Sequence, residues 1–168
     1  MLAEKSDLSE SKPAMYTKKE LKKYLKDLVK KQDRLTAFKF EYQSGHTAFH
    51  TRLRIVITSE RVEHQRIPRG IPVDSPDEAN ATKLQQMDFS VQKLSEFVGE
   101  LINRNIWELE NCTERALPDT ALLTFIIRDN DNLVFEQKVW ESCRNDDKRT
   151  KELLRTVAAI IPRDWTPP

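Results

Sequence analysis

Ala121-Leu122-Leu123-Thr124-Phe125-Ile126-Ile127-Arg128 and Leu133-Val134-Phe135-Glu136-Gln137-Lys138-Val139-Trp140 stand on either side of Asp129-Asn130-Asp131-Asn132. Branched and aromatic residues dominate both runs and favour extended backbone. The Asn and Asp residues between them tolerate the left-handed conformation that tight turns need, so the stretch reads as a β-hairpin. It sets the fold class. It carries no nucleophile, metal cluster or phosphate loop, and so it names no function.

The same two-residue period appears upstream. From Leu35 onward Phe38, Phe40 and Tyr42 share one face while Lys39 and Glu41 take the other. Thr51 to Thr58 resumes the alternation with Leu53, Ile55 and Ile57 against Arg52 and Arg54. A turn at Ser59-Glu60 leads to a third strand near Val62 to Arg66. Between Ile67 and Gln86, Pro68, Pro72 and Pro76 with Gly70 predict a long loop lacking regular structure, read first as a disordered connector and second as a candidate contact region. A helix follows from Ser90, with Val91, Leu94, Phe97, Val98, Leu101 and Ile102 on one stripe. Gly99 inside it implies close backbone packing. A last helix starts after Asp146 or Asp147 and stops before Pro162.

At the front, Thr17 and Glu20 form a capping-box pattern ahead of Leu21, Tyr24, Leu25, Leu28 and Val29. Lys18, Lys19, Lys22, Lys23, Lys26, Lys30 and Lys31 cover the other side of that helix. The expected fold is α+β: an antiparallel sheet of about five strands with helices packed on one face, plus an N-terminal basic amphipathic helix. The expected organisation is a disordered tail over 1–16, the basic helix over 17–34, one domain over 35–162 and a C-terminal tail over 163–168.

The 168 residues suit one core, and the formal net charge is only +1. Residues 1–35 nevertheless hold ten basic and six acidic side chains, which suits an acidic surface, a lipid or a nucleic acid. Met1 to Met15 is polar and broken by Pro13, unlike a secretory leader, and no window reaches membrane-spanning length. A cytoplasmic protein is expected. Cys112 and Cys143 are the only cysteines; in that compartment they read first as reduced, isolated thiols, with one disulfide between them as the lesser alternative.

Phe40-Glu41-Tyr42-Gln43-Ser44-Gly45-His46, then an alternating strand, a helix ending in Ile106-Trp107-Glu108-Leu109, and Ala116-Leu117-Pro118-Asp119 before a hairpin resemble the emfourin-like small bacterial α+β domains. The resemblance runs from about Ala37 to Pro162, with His46 standing where a second turn glycine is expected. It implies an inhibitor of thermolysin-type metalloproteases. It carries over no inhibitory residue, because no inhibitory motif is matched.

Other clusters have bland readings. His46 and His50 have the spacing of zinc ligands on a helix, with His64 as a third ligand, but they follow Gly45 between two strands, where that geometry is not provided. Asp129 to Asn132 lacks the glycine and bidentate Glu of a calcium loop. Glu108, Glu110, Glu114 and Asp119 read as a solvated acidic stretch rather than an acid–base pair. Gly45, Gly70 and Gly99 are dispersed, so no phosphate cradle exists. No catalytic residue, metal or cofactor is expected.

The reading is a non-enzymatic module that binds another protein, in its sharpest form a metalloprotease inhibitor. Its protein contacts are expected at Ser44, Gly45, His46, Gly70 and Asn130. The alternative is an adaptor whose lysine-rich helix docks on an anionic membrane or nucleic acid. A third reading is an enzyme whose Cys, His and Glu residues meet only in space.

Overall fold

The computed structural model describes residues 14–45, 51–112, 120–143 and 147–165. Thr17 and Glu20 cap helix α1 (Lys18–Lys30) reciprocally, as the capping box requires. Leu21, Tyr24, Leu25 and Leu28 of α1 are buried in the core, so this helix is part of the domain rather than an arm beside it. A 3-10 turn (Gln32–Ala37) delays the first strand, β1, to Phe38–Ser44. Then come β2 (Arg52–Ile57), β3 (Arg61–Ile67), helix α2 (Pro76–Ala81), β4 (Lys83–Asp88) and helix α3 (Val91–Asn103). The hairpin β5 (Leu122–Asp129) and β6 (Asn132–Trp140) and helix α4 (Lys148–Ala158) complete the order.

The α+β class and the helix-covered antiparallel sheet are as expected, but the sheet has six strands, in the order β4-β3-β2-β1-β5-β6. The stretch expected to be irregular contains two elements. Pro76 supplies the first turn of α2, where its missing N–H costs nothing, and β4 follows at once. The residues of β4 are mostly exposed on both faces, so no alternation marks them as a strand.

The hairpin turn is Asn130-Asp131, both with positive φ (47° and 66°), the backbone of a type I′ turn. Phe135 pairs with Ile127 and Leu133 with Arg128, leaving Val134 as the extra residue of a bulge. Ser90 and Asp147 cap α3 and α4 through their side chains. A Cβ on Gly99 would meet nothing within 4 Å, so close packing is not the reason for that glycine.

Cross-strand register divides the sheet cleanly. Phe40, Tyr42, Ile55, Ile57, Phe125 and Ile127 face the helices and are buried. Trp107 and Trp165 join that core, and Trp165 lies in the stretch expected to be a tail, its ring 5.3 Å from that of His64. Lys39, Glu41, Gln43, Arg54, Gln65 and Thr124 share the other face. No helix of the described residues is long and apolar enough to cross a membrane.

Candidate functional site: the polar sheet face and its open edge

Helices α1, α3 and α4 cover one face of the sheet, and the other carries charged side chains around buried Val56 and Ile126, which flank Glu41 on the neighbouring strands. At its centre Glu41 is nearly fully buried (3% exposed). Arg54, from the neighbouring strand, grips it with a two-pronged fork: Nε donates to Oε1 at 2.6 Å and Nη2 to Oε2 at 3.0 Å. The Gln43 amide also donates to Glu41 Oε1. Burial alone would raise the Glu41 pKa, yet the hydrogen bonds from Arg54 and Gln43 together hold it below the usual carboxylate range. Glu41 reciprocally raises the pKa of Arg54. Arg61 with Glu63 (2.7 Å) and Lys138 with Glu136 (3.8 Å) extend the pattern of paired charge.

Arg52 ties the β3–β4 connection across this face. Its Nη2 donates to the carbonyl of Ile71 at 2.7 Å, and its Nη1 to Glu78 of α2 at 3.2 Å. Glu78 in turn accepts from the backbone N–H of Asp74 at 2.7 Å, which steadies the positive φ of that residue (59°). Between strap and sheet lies a cavity of about 570 Å³, whose walls include Gln43, Arg54, Gln65, Val73, Glu136 and Lys138. A second groove of about 770 Å³ lies on the helix side between α3 and α4, floored by Met87, Phe89 and Phe97.

The two edges of the sheet differ. On β6, Tyr16 donates its N–H to the carbonyl of Val134 at 2.9 Å, and Asn111 accepts from the N–H of Lys138 at 2.9 Å, so other segments of the chain occupy that edge. On β4 no other segment does so among the described residues. The phase of its ladder follows from Phe89, whose N–H donates to Glu60 O at 2.8 Å. Hydrogen-bonded pairs alternate in an antiparallel ladder, so Lys83, Gln85 and Met87 turn their backbone groups toward β3. Leu84, Gln86 and Asp88 turn theirs outward. Leu84 is 52% exposed on the polar sheet face, and Val73 of the strap is 48% exposed. An unpaired edge flanked by apolar side chains is a template for another strand.

The expected contact residues do not form one site. Ser44 and Gly45 line the strap cavity, and Gly70 (φ 93°) lies just beyond the same end of the sheet. Asn130 donates its N–H to Ala37 O at the opposite end of β1, and β1 is seven residues long, about 20 Å end to end. His46 and His50 lie outside the described residues. His64 faces the core, 1% exposed, and no group of three potential metal ligands occurs among the described residues. Of the acidic stretch, Glu108 pairs with Lys18 at 2.9 Å, which lowers the Glu108 pKa; Glu114 and Asp119 lie outside the described residues.

Cys112 is bonded in a disulfide, which corrects the expectation of reduced thiols. The chain has one other cysteine, Cys143. Thirty-odd residues separate the two in sequence, and no local pattern such as a CxxC signalled the bond. Sequence reasoning also missed the Glu41–Arg54 fork, which depends on the register of two strands. The alternation that placed both residues opposite the apolar face was its only available signal.

No family model matches the chain, and no curated protein matches it.

Proposed function

We propose that this chain is a non-enzymatic protein-binding module that receives an extended segment of its partner as a seventh strand beside β4. The observation that carries the reading is the contrast between edges: β6 is met by other segments of the chain at Val134 and Lys138, while Leu84, Gln86 and Asp88 direct backbone donors and acceptors outward with no such contact among the described residues. Main-chain hydrogen bonds would supply affinity. Leu84 and Val73 on one face, and the groove beside Met87 on the other, would receive alternate side chains of the added strand.

The resemblance to emfourin-like domains supplies the sharpest version, in which the partner is a thermolysin-type metalloprotease. The test uses Gln86→Pro. Proline there removes an outward N–H and leaves the ladder to β3 intact, a substitution edge strands accept. Extended peptides selected from a display library should bind the wild-type chain and lose binding to Gln86→Pro; equal binding to both would reject the edge. Inhibition of a thermolysin-like enzyme by wild type but not by the variant would identify the partner class, and no inhibition would remove the protease version. The expected cytoplasmic location has the disulfide at Cys112 set against it, since disulfides persist in oxidising compartments. Trapping thiols at cell lysis decides between the two.

A further inference from the structure

We propose that the outer face of α1 is a docking surface for anionic lipid headgroups, separate from the strand-accepting edge. Elsewhere some cations meet acids, Arg52 with Glu78, Arg54 with Glu41, Arg61 with Glu63, Arg104 with Glu100 and Glu152, and those without an ion pair among the described residues, such as Lys39, Lys83 and Arg128, lie on separate strands. On α1 they crowd together. Lys18 reaches Glu108, but Lys19, Lys22, Lys23, Lys26, Lys30 and Lys31 have no ion pair among the described residues, and all six are exposed. Lys22 lies 5.2 Å from the centre of the Trp107 ring. Glu20, Asp27 and Asp33 are the acids of the same stretch, and Glu20 is engaged in the cap.

Thirteen residues of helix present this charge over about 20 Å. The apolar side of α1 is buried in the core, so the helix cannot roll into a bilayer, and attraction must come from the lysines lying against the headgroups. Met15, 53% exposed just before the cap, adds one apolar side chain at the end of the row. Lipid is favoured over nucleic acid because the exposed row between Lys19 and Lys31 carries no aromatic ring to stack on a base and no Asn or Gln to read one. A fluid headgroup layer accepts point charges at any spacing. The N-terminal end of α1 adjoins β6 through Tyr16, and β4 is the opposite edge of the sheet, five strand spacings or about 24 Å away. A membrane-bound chain would therefore keep its open edge free.

The test is co-sedimentation of the full chain with vesicles of equal parts phosphatidylcholine and phosphatidylserine, with pure phosphatidylcholine vesicles and a DNA duplex in parallel. Binding to the anionic vesicles alone, weakening steeply with salt, is expected. The combined variant Lys19→Gln, Lys23→Gln, Lys26→Gln and Lys30→Gln alters exposed side chains that have no ion pair among the described residues. It should keep its circular dichroism and thermal midpoint and lose about five-fold in partitioning per lysine, several hundred-fold together. The proposal is overturned if wild type ignores anionic vesicles, binds neutral ones equally, binds the duplex more tightly at the same ionic strength, or if the variant partitions like wild type. Because Gln86→Pro leaves α1 untouched, its vesicle binding should equal that of wild type, which separates this inference from the strand-addition reading.

Discussion

Leu25→Ala asks whether α1 is part of the core or an attached arm. Leu25 is 0% exposed, within a cluster that includes Leu21, Leu28, Phe38 and Leu101. Truncation removes buried methyl groups and leaves a cavity that the sheet below cannot collapse into freely, so the expected loss is about 3 kcal/mol. With a urea slope of about 2 kcal/mol/M for a domain of this size, the midpoint should fall by about 1.5 M with the slope unchanged. The thermal midpoint should fall by about 6–12 °C, at roughly 2–4 °C per kcal/mol. Lys26→Ala, one residue along and exposed, should stay within about 0.5 kcal/mol of wild type. Chemical denaturation of the three proteins makes the comparison. A loss below about 1 kcal/mol for Leu25→Ala would refute the reasoning, because a helix that can detach loses little when its buried face is trimmed.

Glu41→Gln should cost about 1–2 kcal/mol at neutral pH, the strength of a charge-assisted fork discounted for the part-exposed Arg54. Because the folded pKa of Glu41 is depressed, its contribution is complete above the ordinary carboxylate pKa and disappears as pH falls through the lower folded value, so wild-type and variant stabilities should converge in acid. Denaturation across that range checks the convergence. Arg52→Ala should release the strap at Ile71 and Glu78; limited proteolysis should cut residues 68–75 faster while the global midpoint moves little. Cys112 should resist alkylation until reductant is added, and reduction should lower stability by about 3 kcal/mol, as read by mass spectrometry and denaturation.

How far the fold could be read depended on whether residues have one wet and one dry face. Phe38 to Tyr42, Leu53 to Ile57 and the Leu122–Trp140 hairpin alternate because helices cover one side of them, and Thr17, Ser90 and Asp147 announced their helices through capping chemistry. Lys83 to Asp88 lies at an edge with little cover on either side, so its period was invisible, and the prolines before it argued for a loop. For the same reason the candidate site was the least legible part. Its defining feature is the direction of backbone groups on an unpaired strand, which no side-chain pattern encodes. The contacts expected at Ser44, Gly45, Gly70 and Asn130 were chosen as loop positions, and sequence alone could not tell that β1 separates Asn130 from the others by its whole length.

Amide hydrogen exchange along β4, with and without a selected peptide, tests the strand-addition reading most directly. In the free protein the N–H groups of Gln85 and Met87 should be protected by β3, while those of Leu84, Gln86 and Asp88 exchange quickly. Binding should bring protection to that outward set. If those three amides exchange as fast in the saturated complex as in the free chain, the partner does not extend the sheet and the account is wrong.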